Sequence, residues 1–264
     1  MINLEYFKDY EKYKQEHLEE IVNRVKEFSC LNNQSIRILD LATGPNQFNP
    51  LVVKKLIYLG IDFKLLLSDI SPTGLNRGYA NLERVLNKED MTKISCVLVD
   101  SNNLRKDLIK IPLYTNSGMI IKPLREVLEM PEFNFLLTEY ERGRRKETFE
   151  NESFDLILGI IPYSSMEENK KAIRESVRVL KKGGYHIVSE WQIQKINSKI
   201  YRTEPAMRGA KIRNADKIEE EIDSLITPVR MLTNLHSYQV GYYDSDECVQ
   251  NGDIVKDCVF VHKK

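Results

Sequence analysis

Three aspartates stand at comparable places in this chain, each at the end of an apolar run. The runs are Ile36-Arg37-Ile38-Leu39-Asp40, Phe63-Lys64-Leu65-Leu66-Leu67-Ser68-Asp69 and Ile94-Ser95-Cys96-Val97-Leu98-Val99-Asp100. Short apolar runs bounded by turn residues read as buried strands. Open α/β sheets bind ligands in the crevice outside the carboxyl ends of such strands. A carboxylate there can attract a cationic centre or accept two hydroxyl hydrogen bonds, and bonds to an ionised group are the strong ones. Asp40 is followed by a turn of small and polar residues, Leu41-Ala42-Thr43-Gly44-Pro45-Asn46-Gln47, and then by a second apolar run from Leu51 to Leu59. The first unit is therefore strand, turn and helix. Ala42 and Gly44 leave room for ligand atoms close to the backbone.

A dinucleotide site wants G-x-G-x-x-G, with the pyrophosphate resting on the helix N-terminus. In that register the three positions are Ala42, Gly44 and Gln47, so two of the three glycines are missing. Asp40 would also repel a pyrophosphate, whereas it suits a ligand with a cationic centre. Asp40-Leu41-Ala42-Thr43-Gly44-Pro45 resembles the first motif of the class I S-adenosylmethionine-dependent methyltransferases, an acidic residue followed by a small-residue turn containing Gly. Their cofactor carries an ammonium and a sulfonium. The resemblance implies cofactor-binding roles for Asp40, Ala42, Thr43, Gly44 and Asn46. It places Asp69 on the ribose hydroxyls, Ile70 against the adenine, and Asp100 and Ser101 near the adenine edge. It also turns Gly159 and Ile160 toward the transferred methyl, with S-adenosyl-L-homocysteine as product.

The elements that position these residues follow from periodicity. The fourth strand is Phe154 to Ile160. The stretch between Asp100 and it far exceeds the roughly 2 to 6 residues of an ordinary connection, so an insertion occupies about 102–150. Within it, Ile120 to Met130 reads as an amphipathic helix and Phe133 to Tyr140 as another apolar element. Nine Lys/Arg balance nine Asp/Glu over 101–152, so the run Arg142-Gly143-Arg144-Arg145-Lys146 reads as a solvated loop rather than an RNA grip. The fourth strand leads into Pro162-Tyr163. Methyltransferases of amide or exocyclic nitrogens often carry Asn-Pro-Pro-Tyr here, but this chain has Ile160-Ile161 in place of Asn-Pro. Without the Asn, an adenine-N6 or glutamine-amide acceptor is disfavoured. Tyr163 stays a candidate to stack on or hydrogen-bond to a substrate.

A helix from Glu168 to Leu180 ends at Lys181-Lys182-Gly183-Gly184, with basic residues in its last turn and a glycine stop. The fifth strand, Tyr185 to Glu190, follows. Arg178-Val179-Leu180-Lys181-Lys182-Gly183-Gly184 before a strand matches a structural landmark of the same family. His186 reads as a core histidine; Glu190, at the ligand-side tip, is a catalytic candidate with Tyr163, and His236 is a weaker one. Over 195–213 six cationic residues face only Glu204. This is either a loop that recognises phosphate or carboxylate or a solvated one balanced by the acidic stretch 216–223. Two strands, Leu235 to Tyr243 and Ile254 to His262, close the chain as an antiparallel hairpin.

The N-terminal stretch 3–29 reads as helical, with Ile21, Val22, Val25 and Phe28 on one face and Tyr6, Phe7, Tyr10 and Tyr13 before them. Two alternatives stand: a lid over the cofactor, as in the family resembled, or simple packing on the domain. The expected architecture is thus α/β, a Rossmann-like seven-stranded sheet of five parallel strands and a hairpin, with helices on both faces. A helical cap would span 1–34 and the methyltransferase domain 35–264.

The 264 residues carry formal net charge +0, which gives no pull toward nucleic acid or acidic lipid. The four cysteines show no C-x-x-C pair, as expected of a reduced, cytoplasmic protein. No signal peptide is visible, no apolar run approaches the ~20 residues of a membrane span, and no metal-ligand spacing occurs. The function expected is methyl transfer to a small-molecule acceptor, an anionic one if the basic stretch takes part. The alternatives are an RNA or protein methyltransferase and a non-catalytic S-adenosylmethionine-binding partner subunit.

Overall fold

The computed structural model describes residues 15–32, 34–44, 48–104, 108–109, 112–114, 120–123, 126–127, 130, 149–160, 162, 166, 168–196, 199–200, 212–214, 219–220 and 254–264. Five parallel strands form the centre of one sheet: β1 (Ile36–Leu41), β2 (Phe63–Asp69), β3 (Ile94–Leu98), β6 (Phe154–Ile160) and β7 (Leu180–Ile196). Their spatial order is β3-β2-β1-β6-β7. The chain steps outward from β1 to β3, then returns to the other side of β1 to place β6 beside it. That reversal makes the β1/β6 boundary a topological switch point, where a crevice opens at the carboxyl ends of the strands. Register fixes the tips: Asp40 lies opposite Leu67 on β2 and Leu158 on β6, and Asp69 lies opposite Leu98 on β3. The three aspartates therefore sit at one edge of the sheet.

Alternation along β1 sends its side chains to two cores. Ile36 and Ile38 pack with Val52, Val53 and Leu56 of α2 (Asn49–Tyr58) and with Leu75 and Leu82 of α3 (Pro72–Glu83). Leu39 and Leu41 pack on the other face with Ala172, Ile173 and Val179 of α5 (Asn169–Val179). Helices thus cover both faces. A short α4 (Lys88–Met91) precedes β3, and α1 (Gln15–Asn32) joins the α2 face through Ile21 and Val25. His17 stacks on Phe48 at 4.7 Å and Phe28 meets Tyr185 edge-on at 5.5 Å. The described part of the N-terminal helix is therefore packed along the sheet, from its ligand edge to its opposite edge. Residues 1–14, with the expected aromatic stripe, lie outside the described residues.

Three expectations differ from what the described residues show. Among those residues the sheet counts eight strands, where seven were expected. β7 runs on past Glu190 to Ile196, and its extra backbone groups are met by β8 (Lys199–Ile200) and by β10 (Ile254–Lys263), which lies antiparallel to it. On its other side β10 pairs in parallel with β9 (Ile212–Asn214); the expected partner strand at 235–243 lies outside the described residues. Second, Ile120–Ile121 is not helical but a strand, β5, paired with β4 (Leu113–Tyr114). Lys122 bridges to Val97, so this hairpin meets the open edge of β3. Pro123 works against a helix running through the segment, and an uncovered strand edge favours strand pairing instead. Third, the helix stops at Val179, and Lys181-Lys182-Gly183-Gly184 are part of β7. The register against β6 shifts there, between Phe154 and Leu156, as a bulge that Gly183 allows with φ of +77°.

The insertion leaves and rejoins the domain at neighbouring points: the Phe149 N–H donates to the Leu104 carbonyl at 3.2 Å. Leu104, Val127 and Phe149 are buried in the same core as Leu39 and Ile157. Phe133 to Tyr140 lie outside the described residues. Among the described residues no helix is long and apolar enough to cross a membrane.

Candidate functional site

The turn after β1 is built on β2. Thr43 N–H donates to the Ser68 carbonyl at 2.9 Å, and Ser68 N–H donates back to the Thr43 hydroxyl at 3.2 Å. The Ser68 hydroxyl donates to the Asp40 carbonyl at 2.8 Å. Asp69 completes the frame: one carboxylate oxygen accepts from Gly44 N–H and the other from Ser71 N–H, each at 2.7 Å. Ser71 then caps α3, its hydroxyl accepting from Gly74 N–H at 3.2 Å. Two residues of the turn, Ala42 and Gly44, have φ of +53°. That conformation costs a residue with a Cβ about 1–2 kcal/mol, so at Ala42 the frame holds the backbone in a strained shape.

The helix that follows is cut away to receive this turn. A methyl group placed on Gly78 would lie 2.8 Å from the Gly44 carbonyl oxygen and 2.9 Å from the Thr43 methyl; one on Gly74 would lie 3.2 Å from Gly44 Cα. Gly74 and Gly78, one helical turn apart, let α3 lie directly against the loop. Among the described residues, Gly44 has only the Ala42 carbonyl oxygen within 4 Å of where its Cβ would be.

Asp40 is the most deeply buried member of the aspartate row, 1% exposed. One oxygen, Oδ2, accepts from the Asn49 side-chain amide at 2.7 Å, while Oδ1 has no partner among the described residues. The nearby Thr43 hydroxyl gives its bond to the Asp40 carbonyl oxygen instead, at 3.3 Å. Burial pushes the Asp40 carboxyl up to about 7; the Thr43 and Asn49 donors resist this and the charge of Asp69 adds to it. The result is a carboxylate with one hydrogen-bonded and one unsatisfied oxygen at the switch point, suited to a cationic group.

At the next two tips, Asp100 accepts from Asn102 N–H at 2.9 Å and shapes the turn there, with Ser101 buried beneath it. Ile70 is 63% exposed beyond Asp69, an apolar side chain held at the crevice edge. On β6 the missing side chain of Gly159 is used by the protein: a Cβ there would lie 2.7 Å from Cγ of Pro162, whose ring covers that position. Ile160, half-buried, ends the strand opposite Ser189.

The structure therefore brings Asp40, Ala42, Thr43, Gly44, Asp69, Ile70, Asp100, Ser101, Gly159 and Ile160 to one edge of the sheet. Thr43 contributes its backbone and a hydroxyl that is spent inside the fold. Asn46 and Tyr163 lie outside the described residues, as does His236; for Glu190 only the strand backbone is described, opposite Cys258. His186 is fully buried within the sheet, paired in register with His262, and burial beside that second imidazole holds it well below the usual histidine range. Three contributors were not singled out from sequence. Asn49 carried no signal beyond its place before Pro50. Gly74 and Gly78 were legible as paired glycines in a helix, a mark of close backbone approach.

Residues 121–188 match a family model described as a methyltransferase domain. That segment runs from β5 through β6 and α5 into β7, so it includes Gly159 and Ile160 but neither Asp40 nor Asp69. No protein with a curated description matches the chain. Solved structures that align with it include the DszA carbon methyltransferase, at 14% identity and TM-score 0.45 over 69% of this chain and 36% of that one. Another is the cyclase SpnF, at 16% identity and TM-score 0.41 over 78% of this chain and 56% of that one. A third is phosphoethanolamine N-methyltransferase 2 of Haemonchus contortus, solved with phosphomonomethylethanolamine and S-adenosylhomocysteine. It aligns at 15% identity and TM-score 0.35 over 66% of this chain and 29% of that one. The chain thus spans well under two thirds of the length of each.

Proposed function

We propose that this chain, whose residues 121–188 match a methyltransferase-domain model, moves the methyl group of S-adenosyl-L-methionine to a small-molecule acceptor. S-adenosyl-L-homocysteine is the product. The observation that carries this reading is the orphaned Oδ1 of buried Asp40, at the point where the strand order reverses. Asp40 fits a cationic amino-acid end. Asp69 fits a ribose: its oxygens each hold one backbone N–H and keep lone pairs for hydroxyl donors. Ile70, exposed past Asp69, fits the face of a base.

When bound, the cofactor supplies a sulfonium-activated methyl, open to in-line displacement. The protein's part is then chiefly to orient two reactants, and orientation can supply ~7–11 kcal/mol of a barrier. Asp40 and the Asp69-braced turn would hold the cofactor. Tyr163 and Glu190 are the proposed acceptor-side groups, and the basic stretch 195–213 supports an anionic acceptor. A base is required only if the acceptor must lose a proton.

A second reading, cofactor binding without catalysis, draws on Ile160-Ile161 standing where amide methyltransferases carry Asn-Pro. Calorimetry with S-adenosylhomocysteine tests the cofactor site; absence of binding would end both readings. A metabolite screen for release of S-adenosylhomocysteine then separates enzyme from binding protein. Steep loss of activity with salt would redirect the acceptor toward nucleic acid.

A further inference from the structure

Asp40 is a buried carboxylate for which no Lys or Arg partner exists among the described residues. The groups facing it are few. Asp69 on β2 repels it, and the thiol of Cys96 on β3 is pushed up partly by Asp40's charge. The Thr43 hydroxyl is committed to a carbonyl. The Asn49 amide, 2.7 Å from Oδ2, makes the short side-chain hydrogen bond to the carboxylate, and the nearby Thr43 hydroxyl also favours its ionised form. Asn49 is itself 1% exposed and is the first residue of α2, where the Phe48 carbonyl accepts from Leu51 and Val52. Its amide is therefore buried at the helix start.

We propose that Asn49 is a positioning residue: it clamps one oxygen of Asp40 and so presents the other to the ammonium at the amino-acid end of the bound cofactor. This rests on the reading that the crevice takes S-adenosylmethionine. The clamp does two things. It fixes which oxygen faces the ligand, and it favours the ionised carboxyl, because an amide N–H donates more strongly to a charged carboxylate than to a neutral carboxyl. Binding a cation beside Asp40 also drives off any proton the carboxyl holds, so affinity for the amino-acid end rises with pH as Asp40 ionises.

Calorimetry on the full chain between about pH 6 and 8.5 separates this role from a merely structural one. Two probes are used: S-adenosylhomocysteine, which carries the amino-acid end, and 5′-methylthioadenosine, which lacks it. Asn49→Leu should weaken S-adenosylhomocysteine about tenfold, the effect of ~1.4 kcal/mol, and move the rise of its affinity to higher pH. Methylthioadenosine should bind as before at every pH. In an Asp40→Asn background the same Asn49→Leu change should cost S-adenosylhomocysteine nothing further. Equal weakening of both probes, an unchanged affinity for S-adenosylhomocysteine, or an undiminished loss in the Asp40→Asn background would each overturn the proposal. If Asn49→Leu fails to fold, Asn49→Ser, which keeps a donor on a shorter arm, is read by the same probe comparison. If the native chain binds neither probe, the cofactor reading itself is wrong, which is a different failure.

Discussion

Asp69 shows how one carboxylate can serve the fold and the site together. Its two oxygens hold Gly44 N–H and Ser71 N–H, so it ties the turn after β1 to the start of α3 before any ligand arrives. Asp69→Ala leaves both donors without that partner. We expect stability to fall by about 1–3 kcal/mol in denaturant titrations, with S-adenosylhomocysteine affinity falling too; an unchanged midpoint would show that the brace is not there. Asp40 makes the opposite trade. Its carboxyl, raised from 3.8 to about 7 by burial, holds a proton in the folded chain over a range where the unfolded chain has released it. The folded state binds more protons there, so this residue's contribution to stability declines as pH rises from 3.8 to about 7. Asp40→Asn should remove that decline and leave the ligand-free protein more stable than the native chain at pH ~8, in paired thermal melts. The aspartates were legible because each closes an apolar run. Asn49 was not, since its partner lies on another element and its only local mark, preceding a proline, is common to many helix starts.

At the scale of elements, the candidate site depends on how closely α3 approaches the turn. Gly78→Ala should gain about 1 kcal/mol in helix propensity. The added methyl, however, meets backbone at 2.8 Å, where nothing flexible can give way. Overpacking of that kind costs about 1–3 kcal/mol. The expected outcome is a lower melting temperature together with weaker S-adenosylhomocysteine binding; a more stable protein with native affinity would mean that the loop is free to move. The strands at 63–69 and 154–160 were readable to the residue because each is a buried apolar run between turn signals. Only the start of the segment 120–130 was misread: Ile120 and Ile121 are strand, while Glu126 and Val127 further on are helical. What decides it is the unpaired edge of β3, a partner no local window contains. The Gly183-Gly184 pair was misread for a related reason: a bulge and a helix stop ask for the same residue, and only the pairing with β6 distinguishes them.

For the whole molecule, the described residues of the insertion include members of the core, Leu104, Val127 and Phe149. Phe149 is fully buried, edge-on to Phe154 at 5.4 Å, and its backbone carbonyl accepts from Arg178 at 2.8 Å. Phe149→Ala should cost about 3–5 kcal/mol, measured by denaturant unfolding. A loss below about 1 kcal/mol would show that the insertion only rests on the domain. That a long insertion exists was plain from chain length between strands; that it shares a core with the sheet was not, because burial across such a separation leaves no local pattern. The placing of β10 has a kinetic consequence. It is made after every other described strand, yet it fills a slot between β7 and β9, and the Lys264 backbone bonds to Gly183 and Gly184 at its far end. On the ribosome the β1–β3 units can pair while they emerge, but β7 must wait with one edge bare. For that interval it is the place where a nascent chain would capture a neighbour's strand, so translation rate and chaperone access should govern its yield more than the stability of the finished fold.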